Sequence, residues 1–224
     1  MAQTEASTIF LAKVFSWMAI GLGLTALVAF MVASSETAVQ FFHVNRSMLF
    51  MVMLAEIGLV IYLSARIEKL EAGTATALFL LYAGLNGITL SWILLLYTAT
   101  SVASTFLVTA GMFGAMAVYG YVTKKDLSSW GSFLFMGLVG IIIATLVNFF
   151  LQSSMMSWVI SGIGVVVFTG LTAYDVQRIS KMGLTVMSGS ESSIKKMAII
   201  GALTLYLDFI NLFLMLLRFL GNRS

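Results

Sequence analysis

The sequence predicts an all-α, polytopic membrane protein of seven transmembrane helices, forming a single domain over residues 1–224. Three observations predict it. Of the 224 residues, 60% are hydrophobic and only 9% charged, whereas a soluble domain carries about a quarter charged residues. The mean hydropathy of +1.04 leaves too little polar surface to keep a folded chain in water. The apolar residues also fall into runs long enough to cross a bilayer, a crossing that takes about 20 residues for roughly 30 Å of hydrocarbon. These runs lack the in-out alternation of barrel strands, so helices are expected.

In chain order, the first run is Phe10–Ala33. The segment before it, MAQTEASTIF, lacks the basic region of a cleaved signal peptide, so this span is expected to direct insertion and stay attached. The second, Met48–Ala65, follows a loop that holds His43. The third, Thr74–Tyr97, follows the charged break RIEKLE and is joined to the fourth, Thr100–Thr123, by the short link YTATS, a tight hairpin. The break KKDLSS leads to Gly131–Leu151, and QSS makes a second tight hairpin into Met155–Tyr174. The polar stretch QRISKMGLTVMSGSESSIKK reads as the longest loop and precedes the seventh run, Met197–Arg218. The 19 glycines suit close helix packing, with Gly111/Gly114 and Gly137/Gly140 as examples. Proline is absent, so any helix break must come from glycine or from a span that ends early.

Lysine and arginine orient the bundle. With the N-terminus inside, the inner segments hold Lys13, Arg66, Lys69, Lys124, Lys125, Arg178, Lys181, Lys195 and Lys196, and the outer ones only Arg46, Arg218 and Arg223. A cytoplasmic N-terminus is therefore expected. Seven full crossings would leave the C-terminus outside, against the mild preference of its two arginines, and a last helix that stops short stays open. Short loops and termini point to a bacterial inner membrane.

The composition also excludes chemistry. There is no cysteine and a single histidine, so disulfides, thiolate or histidine metal clusters and a Ser-His-Asp triad are out. A net charge of +3 spread over loops gives nucleic acid nothing to bind. No cofactor is expected, and no enzyme: two membrane acids could serve an aspartyl protease, but the glycine-rich signature that would flank them is missing.

What remains are acids within apolar runs. Asp208 lies in LYLDFINLFLMLLRFLG, Glu56 in the second span, and Asp175 at the end of the sixth. A charge at the centre of a spanning helix costs about 2.5–3.5 kcal/mol on insertion scales, so such residues face the interior, paired or protonated. Helical spacing puts Gly201, Thr204, Asp208, Asn211, Met215 and Arg218 on one stripe of the seventh span, and Ser161, Gly164, Phe168, Thr172 and Asp175 on one stripe of the sixth. Each stripe marks an inward face or one wall of a pore. Alternatively, each acid only ties helices together, or Asp175 only caps a basic helix end. Depth poses a further question. Asp208 lies about 16 Å into its span at 1.5 Å per residue, while Asp175 ends its own, so the two meet only if the sixth helix continues to about Lys181 or the seventh begins deeper.

The motifs AEIGLVIYLSARI, YVTKKDLSSWGSFL, FTGLTAYDVQRI and LYLDFINLFLMLLRFLG, in this order along the whole chain, resemble those of the Bax-inhibitor (transmembrane Bax inhibitor motif) family. The resemblance implies six helices around a central, hydrophobic C-terminal seventh, and a pH-sensitive calcium leak whose sensor is a hydrogen-bonded aspartate pair. That pair falls on Asp175 and Asp208, a basic latch on Arg66, and an acid toward the pore on Glu56. Thr172, Thr204 and Asn211 are the supporting polar residues of the two stripes. Many members have proline after a TLS in the third span; here Trp92 follows Thr89-Leu90-Ser91. Two carboxylates in one low-dielectric place cannot both ionise cheaply, so near pH 7 the pair would share a proton. Once ionised it would offer oxygen ligands to Ca²⁺, though two carboxylates make only a weak site. Two other functions stay open: a cation/proton exchanger using the same acids, and a membrane regulator acting through protein partners such as death factors or a membrane protease.

Overall fold

In the computed structural model, which describes residues 2–222, eight helices account for nearly all of the chain: α1 (Ala2–Ala33), α2 (Glu36–Val44), α3 (Arg46–Arg66), α4 (Ala72–Leu96), α5 (Ala99–Val122), α6 (Ser128–Leu151), α7 (Ser154–Val186) and α8 (Glu191–Leu220). Seven of them are long and apolar enough to cross a membrane, and these correspond one to one with the seven expected spans. The chain is an all-helical, multi-pass membrane protein. α8 is the most enclosed: 72% of its most apolar window is buried, against 11–44% in the others, as expected of a helix that others surround.

Three local readings are corrected. His43 lies in α2, a helix of 9 residues begun by Ser35, whose side chain accepts from the Ala38 N–H at 3.3 Å. The stretch expected to be the longest loop is mostly helix, because α7 runs to Val186 and α8 starts at Glu191. Polar residues there prolong helices that outreach the hydrocarbon; 33 residues of α7 span about 50 Å at 1.5 Å per residue. Of the four glycines offered as packing examples, a Cβ at Gly111, Gly114 or Gly140 would meet open space, and only Gly137 is tight, against Val167. α4 continues without interruption through Trp92. Of the residues used for orientation, Arg223 lies outside the described ones.

The two expected hairpins are as short as predicted. Only residues 97–98 separate α4 from α5, and only 152–153 separate α6 from α7. Gln152 takes a left-handed conformation (φ 51°) that ends α6. Without glycine there, Asn148 holds the turn: its Oδ1 accepts from the Ser153 N–H at 3.0 Å and its Nδ2 donates to Ser157 Oγ at 2.7 Å.

The helices cluster into two compact units. The first comprises residues 2–98 with 182–206, that is, α1–α4, the end of α7 and the first half of α8. Within it, Gly87 of α4 lies against the Thr25 carbonyl and Val28 of α1, and Gly183 of α7 against Phe10. Lys195 sits over the Trp17 ring and Lys196 donates to the Glu68 carbonyl, fixing the start of α8. The second unit comprises residues 99–181 with 207–222, that is, α5, α6, most of α7 and the rest of α8. Here the small residues do what their size allows: Gly120 of α5 touches the backbone of α7 at Ala173, Gly131 of α6 makes room for the Tyr174 ring, and Gly170 of α7 receives Leu134. Phe209 of α8 meets Phe106 and Phe113 of α5 edge to face, at 5.4 and 5.5 Å between centroids.

Candidate functional site: a buried aspartate pair

The site grows from the pairing of α7 with α8 in the second unit. Trp158 stacks on Phe219 at 4.7 Å, and Gly164 leaves room for Met215, whose Cγ and Sδ lie 2.8 Å from where a Cβ would stand. Moving up α7 while moving down α8, this antiparallel register brings Asp175 to Asp208. Both are 6% exposed, and their carboxyls are within hydrogen-bonding reach of each other. The extension of α7 past Lys181 to Val186 answers the question of depth, since Asp175 has about three more helical turns beyond it rather than an end.

The electrostatics of the pair follow from its donors. Asp208 Oδ2 is buried, and no N–H or O–H among the described residues donates to it. Two ionised carboxylates accept only and cannot bond to each other. A proton held between them supplies the missing donor and removes the repulsion, whereas two bare charges would carry the full cost of burial. One cation stands near: Arg178 Nη1 is 3.5 Å from Asp175 Oδ1, with its side chain 53% exposed. It is a neighbour open to water, one turn further along α7.

The two stripes fare differently. On α7, Ser161, Gly164, Phe168, Thr172 and Asp175 are all buried, while Ile163 and Val166 face outward. On α8 nearly every side is buried, so the stripe is not singled out by burial. The polar neighbours also turn away from the acids: Thr172, Thr204 and Asn211 donate to the carbonyls of Phe168, Ile200 and Leu207, one turn back on their own helices. They soften the helix surface rather than bind the carboxyls.

Glu56 and Arg66 belong to the first unit. Glu56 is buried in α3 and its Oε1 accepts from Thr89 Oγ1 of α4 at 2.5 Å. In the same unit, Tyr206 Oη shares a hydrogen bond of 2.7 Å with Thr25 Oγ1, and Tyr82, beside the Tyr206 ring, accepts from Asn86 Nδ2 at 3.4 Å. Arg66 is the last residue of α3, exposed, with no ion pair among the described residues. Arg178 belongs to the basic helix end expected beside Asp175. Thr89 and Tyr206 were not predicted; Thr89 is 33 residues from Glu56, and nothing local in the sequence links them. Among the described residues no three acids or histidines gather into a metal cluster.

Over residues 8–224 the chain matches the family described as "Inhibitor of apoptosis-promoting Bax1". It is 55% identical to inner membrane protein YbhL of Escherichia coli K12 over 214 residues, covering 96% of this chain and 92% of that protein. Similarity is nearly as high, 53%, to a protein of Borreliella burgdorferi with the same coverage of both chains. A membrane protein of Streptococcus pyogenes serotype M3 is 39% identical over 219 residues, 96% of this chain and 93% of its own.

Proposed function

The chain belongs to the Bax-inhibitor family, and from that premise we propose that it is a pH-sensitive cation leak, with calcium as the carried ion and the Asp175–Asp208 pair as the switch. The observation that carries this reading is the buried Asp208 Oδ2, to which no group among the described residues donates, beside the Asp175 carboxyl. With one proton shared, the pair is a singly charged, hydrogen-bonded link between α7 and α8. Deprotonated, it is two like charges in a low-dielectric place, which must separate, bind a cation or draw in a guanidinium. Two carboxylate ligands hold Ca²⁺ weakly, which suits passage rather than storage. Flux of Ca²⁺ from liposomes containing the purified protein, followed across pH, tests the reading; an absence of flux at every pH would overturn it.

The similarity to an inner membrane protein of E. coli supports a place in a bacterial inner membrane. The excess of lysine and arginine on one side supports a cytoplasmic N-terminus, with Ser190, between α7 and α8, on that same side. Because the chain has no cysteine, a cysteine placed at Ser190 reports alone. It should resist an impermeant reagent in intact cells and react once the membrane is opened; labelling in intact cells would reverse the orientation.

Arg66, at the end of α3, is the latch that the family resemblance implies. Arg66→Ala should raise basal flux in the closed condition several-fold, and unchanged flux at normal expression would leave Arg66 an interfacial arginine. Arg178, 3.5 Å from Asp175, is the guanidinium that would then serve the pair.

A further inference from the structure

Two residues beyond Asp175, on the same helix, a buried glutamine does something the leak itself does not require. Gln177 is 7% exposed. Its Oε1 accepts from the Leu127 N–H at 3.0 Å and its Nε2 donates to the Lys125 carbonyl at 2.9 Å. Both partners are backbone groups of the link between α5 and α6. Leu127 is the residue just before α6 and its own side chain makes no cap bond; Asp126 Oδ1 accepts from the next N–H, that of Ser128, at 3.3 Å. Gln177 therefore adds to the cap from another helix, satisfying the Leu127 N–H at the helix start. One turn further on, Lys181 Nζ is 2.9 Å from Asp126 Oδ1 of the same link.

From these contacts we propose that Gln177 is a positioning residue for the aspartate pair: by gripping residues 125–127 from both sides, it fixes the rotation of α7 that presents Asp175 to Asp208. When a helix rolls about its axis, side chains two residues apart swing together. A carboxamide bonded at both ends to one rigid backbone segment opposes that roll. The neighbouring Lys181–Asp126 pair is exposed and contributes little.

The groups around the device are few. Asp175 meets Asp208 from α8 and Arg178 from its own helix; α5 contributes Gly120 at Ala173, and α6 contributes Gly131 beneath Tyr174. The link carries Lys124, Lys125 and Asp126. Hydrogen bonds from Lys181 and from Ser128 hold the Asp126 carboxyl down at about 2. It stays ionised wherever flux would be measured, so a pH signal does not arise in the clamp.

The proposal rests on the pair acting as the switch, and its test is read without flux. The full chain, reconstituted in liposomes, is compared with Gln177→Leu in two ways. The first is the reactivity of a cysteine at Leu127, a position only 2% exposed in a chain with no other cysteine. The second is the infrared carboxylic-acid band that Asp175→Asn abolishes, titrated against pH. Losing two buried hydrogen bonds should raise the labelling rate roughly tenfold and move the band's midpoint by at least half a pH unit. Gln177→Met, unbranched and of nearly the same length, repeats the test if leucine prevents folding. An unchanged labelling rate, or faster labelling with an unmoved midpoint, overturns the proposal. A moved midpoint in a protein whose flux ignores pH would instead overturn the switch and keep the clamp.

Discussion

Asp208→Asn should abolish the pH response of cation flux and leave a protein of normal fold. An amide keeps the size and shape of the carboxyl and brings its own N–H donor, so the buried oxygen of Asp175 gains a permanent partner without any proton. The α7–α8 link then persists at every pH, and the wild-type change in flux across its responsive window should shrink at least tenfold. Asp175→Asn should do the same from the other side. The double variant should add little, because residues that act as one unit are not additive. The measurement is Ca²⁺ release from liposomes across pH for all four proteins, with thermal unfolding as the control for fold. Two single variants that both retain the wild-type profile would reduce the pair to a hydrogen bond between helices.

The second large effect lies in packing. A methyl added at Gly120 of α5 would collide with the Ala173 carbonyl and stand 2.9 Å from its Cα. Backbone cannot rotate aside as a side chain can, so α5 and α7 must separate. Overpacking of this kind costs about 1–3 kcal/mol, or roughly 2–4 °C of melting temperature per kcal/mol for a chain of this size, and valine should cost more than alanine. Because Ala173 is two residues before Asp175, flux should also lose its pH dependence in whatever folds. Gly111, on the same helix, faces open space. There alanine removes the helix penalty of glycine, about 1 kcal/mol, without a clash. Gly111→Ala should therefore be neutral or stabilising. Thermal unfolding in detergent compares the two, and equal melting temperatures for Gly120→Ala and Gly111→Ala would refute this account of the contact.

These two glycines also show how far the sequence could be read. Hydropathy located all seven long helices, because the bilayer imposes length and apolarity on any span. It could not say which glycines touch backbone, because protein-facing and lipid-facing sides of such helices are equally apolar, and Gly111 and Gly120 look alike. The same limit hid the true length of α7: once past the hydrocarbon, a helix continues in polar residues, and QRISKMGLTV reads as a loop. Asp175 and Asp208 were each conspicuous as acids among apolar residues. That they meet was implied by family resemblance, and the register of Gly164 with Met215 supplies the geometry. Gln177 drew no notice, since a glutamine after an aspartate has no pattern of its own until the distant Leu127 N–H is brought to it.

α8 also has a consequence for how the protein is made. Its first half completes one compact unit and its second half the other, and it is synthesised after α1–α7. Chains are synthesised at about 5–20 residues per second. α1–α4 therefore wait in the membrane for many seconds before Tyr206 arrives to meet Thr25, Phe79 and Tyr82. Asp175 waits too, buried with no Asp208. A nascent chain stopped before residue 200 would hold two unfinished bundles, each with a slot open and polar groups unpaired, and would present both to the quality-control proteases of its membrane.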